Sequence, residues 1–100
     1  MGRATSLDEI INHLRNLKPL LESRYHVEQL AVFGSYRRKE NRPDSDLDIL
    51  VSFYETPSLL EFVELEHMLS DHLGVEVDLV MEAALKPRIG QRIRREIIRV

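Results

Sequence analysis

The sequence predicts a small α/β domain in the order α, β, a short helical turn, β, α, β, α. Three observations lead there. Apolar residues recur at helical spacing near the amino terminus, between positions 59 and 73, and in the last fifteen residues. Three short apolar segments, Val27 to Phe33, Asp46 to Tyr54 and Val75 to Met81, lie between them and read as strands. The last two strands flank a helix at a length that usually makes a right-handed parallel crossover. With 100 residues and 43% hydrophobic content, the chain has material for one modest core, and residues 1–100 are expected to form one domain.

Ser6-Leu7-Asp8-Glu9 has the form of a capping box, so a helix is expected to start here. Leu7, Ile10, Ile11, Leu14, Leu17 and Leu21 form its apolar stripe, and Pro19 is expected to bend or interrupt its last turn. Val27 to Phe33 then runs as a strand into Gly34. Tyr36 to Asn41 is polar and reads as a short helical turn, and Pro43-Asp44-Ser45 reads as a loop, with Asp44 most simply a turn former.

In the second strand Leu47, Ile49, Val51 and Phe53 point towards a core, while Asp46, Asp48 and Ser52 point the other way. Leu50 breaks the alternation as an apolar residue on the acidic face, a possible mark of an interface. Thr56-Pro57 supplies a capping hydroxyl and a first-turn proline for the next helix, and Gly74 can close it in a left-handed conformation. In the third strand Val75, Val77 and Leu79 share one face, and Glu76, Asp78 and Val80 share the other. Pro87 limits any helix begun at Glu82. Ile89, Ile93, Ile97 and Ile98 are expected to line a final helix with its arginines outward.

Composition narrows the function classes. Without cysteine there are neither disulfides nor thiolate zinc sites, and no apolar run is long enough to span a membrane. The amino terminus lacks the apolar core of a secretory signal, so the cytoplasm is the expected location. The net charge of −3 hides an asymmetry. Lys86, Arg88, Arg92, Arg94, Arg95 and Arg99 face only Glu96 in the last fifteen residues, and Arg37, Arg38, Lys39 and Arg42 form a second basic cluster. Overall acidity argues against direct nucleic-acid binding, whereas such clusters suit a phosphate or an acidic partner surface.

The chemistry is suggested by Asp46-Leu47-Asp48, separated by ten residues from Gly34-Ser35. Carboxylates at i and i+2 of a strand project from one face and can share a hard divalent cation. Gly34-Ser35 lies where a strand ends and free backbone N–H groups can meet a phosphate. The parallel crossover would bring Asp78 beside the pair. Read alone, Asp46 and Asp48 could be a solvated strand edge, Ser35 a simple helix cap, and Arg37 and Arg38 ordinary exposed charges. The combination favours metal-assisted nucleotide chemistry.

The segments Phe33-Gly34-Ser35-Tyr36-Arg37-Arg38 and Ser45-Asp46-Leu47-Asp48-Ile49-Leu50-Val51, with Val77-Asp78-Leu79 and Ala84-Leu85-Lys86-Pro87-Arg88, strongly resemble the minimal nucleotidyltransferase family of the DNA polymerase beta superfamily. The resemblance covers nearly the whole chain. It implies a polymerase-beta-like fold, a small mixed sheet with helices packed mainly on one face. It also implies that Gly34 and Ser35 hold the terminal phosphates of ATP, with Arg37 and Arg38 as further nucleotide-binding candidates. Asp46 and Asp48 would bind Mg2+, and Asp78 would bind a second Mg2+ and help to deprotonate the acceptor hydroxyl. Lys39 departs from the glycine often found at that position in the family.

Many members of the family are antitoxins that attach AMP to a tyrosine of a HEPN-family toxin, and the resemblance implies that role and partner here. Two alternatives stand beside it. One is nucleotidyl transfer to a small molecule such as an aminoglycoside, and the other is a non-catalytic antitoxin acting by binding alone.

Overall fold

Ser6 opens the first helix as the capping pattern requires, its Oγ accepting a hydrogen bond from the Glu9 N–H at 3.2 Å. The computed structural model describes residues 6–34 and 46–100. The expected turn at Tyr36 to Asn41, the Pro43-Asp44-Ser45 loop and the candidates Ser35, Arg37 and Arg38 lie outside the described residues.

Helix α1 spans Leu7–Tyr25 and runs through Pro19 without ending there. Arg15 and Pro19 are both exposed, so the carbonyl that proline leaves without its usual donor can turn to water. Leu21 and Tyr25, beyond the proline, are buried, and their packing holds the last turn. His26 then closes the helix at φ 58°, with its N–H donating to the Leu21 carbonyl. Tyr25 also ties α1 to the next helix, its hydroxyl donating to Glu64 at 3.0 Å. Burial, and then this bond to a carboxylate, push the phenol above its ordinary pKa.

Strands β1 (Val27–Phe33) and β2 (Leu47–Phe53) pair antiparallel, with an irregularity between Val27 and Gln29. Helix α2 (Leu59–Leu73) follows, and its start corrects the expectation of a Thr56-Pro57 cap. Ser58 is the cap: its hydroxyl accepts from the Glu61 N–H, and the Glu61 carboxylate accepts from the Ser58 N–H, both at 3.1 Å. Two free N–H groups are satisfied reciprocally by Ser-x-x-Glu, which Thr56 cannot match. The Ser58 backbone bond holds the Glu61 carboxyl below its usual pKa. Gly74 ends α2 at φ 70°, as expected.

Strand β3 (Val77–Met81) starts two residues later than expected and pairs parallel with β2. A 3-10 turn at Glu82–Ala84 leads to helix α3 (Pro87–Glu96), where Pro87 occupies the first turn. The expected apolar stripe through Ile97 and Ile98 does not form on this helix. Ile97 is already extended, with φ −72° and ψ 147°, and Ile98–Arg99 form strand β4 against β1. The sheet order is β3-β2-β1-β4. The free edge of β1 offers backbone partners to Ile98, whose β-branched side chain suits a strand, and to Arg99. The Val100 N–H continues the pairing to the Leu30 carbonyl at 3.0 Å.

One face of this mixed sheet carries the core. Ile10, Leu14 and Leu21 of α1 and Leu65, Leu69 and Leu73 of α2 are essentially inaccessible, packed with Leu30, Val32, Leu47, Ile49, Val51 and Leu79 of the strands. Strand alternation sends these residues to one side and Asp48 and Asp78 to the other. Leu50, on the acidic side, is only 4% exposed. It is a buried residue, not an interface marker.

Candidate active site

The ends of β1, β2 and β3 bring the acidic and glycine positions together. Antiparallel pairing sets Phe33 opposite Asp48, and parallel pairing sets Asp78 opposite Asp48 on the far side. Directly opposed residues on neighbouring strands project from the same face, with backbones about 4.8 Å apart. Asp46 stands two positions before Asp48 and just before β2, which begins at Leu47, one residue later than expected. The Leu47 N–H donates to the Glu76 carbonyl at 2.7 Å, so the backbone just after Asp46 is tied to the approach to β3. Asp46, Asp48 and Asp78 thus occupy one corner of the sheet.

Gly34 completes that corner from β1. Its φ of 76° is left-handed, and a Cβ built on it would lie 2.1 Å from Asp48 Oδ2. No side chain fits there. The glycine therefore serves two needs: it turns the chain out of β1, and it lets the Asp48 carboxylate lie against bare backbone.

Electrostatics point the same way. Like charges directly opposite in a sheet oppose folding, and Asp48 faces Asp78. A cation between them would reverse the sign of that interaction. The donors are all carboxylate oxygens, the ligand type that suits a hard divalent ion. Among the described residues, however, no three His, Cys, Asp or Glu side chains are already gathered into a cation-sized cluster. Asp46 and Asp78 are exposed, which leaves their side chains room to rotate towards an ion.

The sequence reading missed two further side chains here. Ser70 Oγ accepts from the Val77 N–H at 3.0 Å, and Glu66 Oε2 accepts from the Leu79 N–H at 2.9 Å. Both come from α2 and flank Asp78. Their i, i+4 spacing on one helix face was the available signal, but nothing in the sequence says which strand that face meets. A separate cleft of about 490 Å³, lined by Pro57, Phe62, Leu79, Met81 and Ala84 among others, includes none of the three acids.

Comparison with known proteins identifies the family and the fold. Residues 14–100 match the nucleotidyltransferase domain family. The protein adenylyltransferase MntA of Thermococcus cleftensis is 48% identical over 95 residues, a match covering 95% of this chain and 96% of that one. A solved structure proposed to be a minimal nucleotidyltransferase superposes with a TM-score of 0.82 at 38% identity, covering 97% of this chain and 98% of that chain. A toxin-antitoxin crystal structure with AMP-PNP superposes with a TM-score of 0.72 at 25% identity, covering 88% of this chain and 71% of that one.

Proposed function

Because the chain belongs to the nucleotidyltransferase domain family, we propose that it transfers AMP from ATP to the hydroxyl of a tyrosine on a HEPN-family toxin and so acts as an antitoxin in the cytoplasm. The observation that carries this reading is the bare-backbone contact of Gly34 with Asp48, with Asp78 in register beside it. The 48% identical relative bears the adenylyltransferase name, and the toxin-antitoxin neighbour is a complex with AMP-PNP, an ATP analogue whose α–β linkage is unaltered. Both support AMP as the transferred group and a toxin as the partner.

In this reading Gly34 and Ser35 meet the β- and γ-phosphates through backbone N–H groups, and Arg37 and Arg38 add positive charge. Asp46, Asp48 and Asp78 would hold Mg2+, as two ions. When bound, Mg2+ lowers the pKa of the attacking hydroxyl and neutralises charge on the departing pyrophosphate. In this reading Asp78 takes the hydroxyl proton as the acceptor oxygen bonds to the α-phosphorus. The bond from that phosphorus to the β-phosphate oxygen breaks, and pyrophosphate leaves with the electron pair. The protein's share is position and charge.

The test is incubation with α-labelled ATP, Mg2+ and the HEPN-family partner. Label on a partner tyrosine is expected, and Asp46→Asn with Asp48→Asn should abolish it while the chain stays folded by circular dichroism. Label on a small hydroxylated compound alone would point to a small-molecule acceptor. Full neutralisation of the toxin by the double variant would point to control by binding alone.

A further inference from the structure

We propose that Glu66 and Ser70 are positioning residues for Asp78, fixing the β3 backbone on either side of it so that its carboxylate faces Asp48. This rests on the reading of Asp78 as a cation ligand. Among the described residues β3 is an edge strand of the sheet, flanked only by β2. Its outward N–H groups therefore have no strand partner. The two that bracket Asp78, at Val77 and Leu79, are both taken by α2 side chains, Ser70 at 3.0 Å and Glu66 at 2.9 Å.

Glu66 and Ser70 are one helical turn apart, and Leu65, Leu69 and Leu73 anchor that helix in the core. The clamp is thus mounted on a rigid element. A carboxylate accepting from a backbone N–H makes a charge-assisted bond, stronger than a neutral one. An edge strand without these bonds can fray or shift, and a movement of one residue would turn Asp78 to the opposite face. Asp48 needs no such device, because it lies on an inner strand paired on both sides.

The experiment follows Mn2+ titration of the full chain by paramagnetic broadening of amide signals around Asp78, alongside amide hydrogen exchange at Val77 and Leu79. Glu66→Ala and Ser70→Ala should speed exchange at their respective amides and weaken Mn2+ binding by about tenfold. Glu66→Gln and Ser70→Thr retain an acceptor oxygen and should restore much of the loss. They also serve where an alanine variant folds poorly. Faster exchange or lower melting temperature with unchanged Mn2+ affinity would reduce the pair to a structural role and overturn the proposal. If Asp78→Ala itself leaves Mn2+ binding intact, the ligand reading of Asp78 fails, and the clamp loses its purpose with it.

Discussion

At the residue scale, the closest constraint is Gly34. An alanine there needs both a left-handed backbone and space already held by Asp48 Oδ2. Gly34→Ala should therefore lose about 1–3 kcal/mol of stability, lowering the melting temperature by several degrees, and should displace the Asp48 carboxylate. Thermal melts and AMP transfer measured on the same preparation check this. Asp78 gives the opposite sign. Asp78→Asn removes a like-charge pair and should raise stability in EDTA by roughly 0.2–1 kcal/mol, while abolishing transfer. Urea titrations of both proteins in EDTA decide it; a loss of stability in the variant would count against charge repulsion at this pair.

At the scale of single elements, α1 shows how packing overrides a local rule. Proline inside a helix removes a hydrogen bond and crowds the preceding turn, yet α1 continues to Tyr25 because Leu21 and Tyr25 are buried. Pro19→Ala should accordingly stabilise the chain by roughly 1–3 kcal/mol, read as an increased urea midpoint. The Tyr25 to Glu64 bond makes a pH prediction. Tyr25 has its pKa raised in the folded state, so its stabilisation is present below the ordinary phenol value of 10.0 and is lost as pH rises through the raised value. The stability difference between wild type and Tyr25→Phe should shrink as urea unfolding is repeated at increasing pH above 10.

Over the whole molecule, the two helices that build the core also leave the opposite face of the strand ends available for acids. Ligands that bind only the folded chain stabilise it by mass action, about 2.7 kcal/mol at a hundredfold excess over the dissociation constant. Mg2+ with AMP-PNP should raise the melting temperature by several degrees, and the Asp46→Asn, Asp48→Asn double variant should lose that shift. An equal shift in both proteins would mean that the nucleotide binds elsewhere.

Much of this arrangement was legible from residue order. Alternation in Leu47 to Phe53 told which face Asp48 occupies, because strand geometry assigns sides by parity alone. The Ser6 and Gly74 helix ends followed from local hydrogen bonding and φ preference, which need no distant partner. Other features depended on neighbours that local rules cannot name. Thr56-Pro57 was the helix start read from the sequence, and the reciprocal bonds between Ser58 and Glu61 set it at Ser58 instead. Ile98 suited a helix stripe as well as a strand, and the unfilled edge of β1 drew it into β4 with Arg99. Leu50 looked misplaced by parity, yet folding buried it.

The sequence by itself determined the three main strands, the three helices and the faces of the strands, since these depend on periodicity and short spacing. Only the tertiary structure decided that Asp78 stands opposite Asp48, that Gly34 lies against its carboxylate, and that Glu66 and Ser70 grip β3. Register between strands is set by the packing of whole faces against α1 and α2, a collective outcome that no single segment encodes.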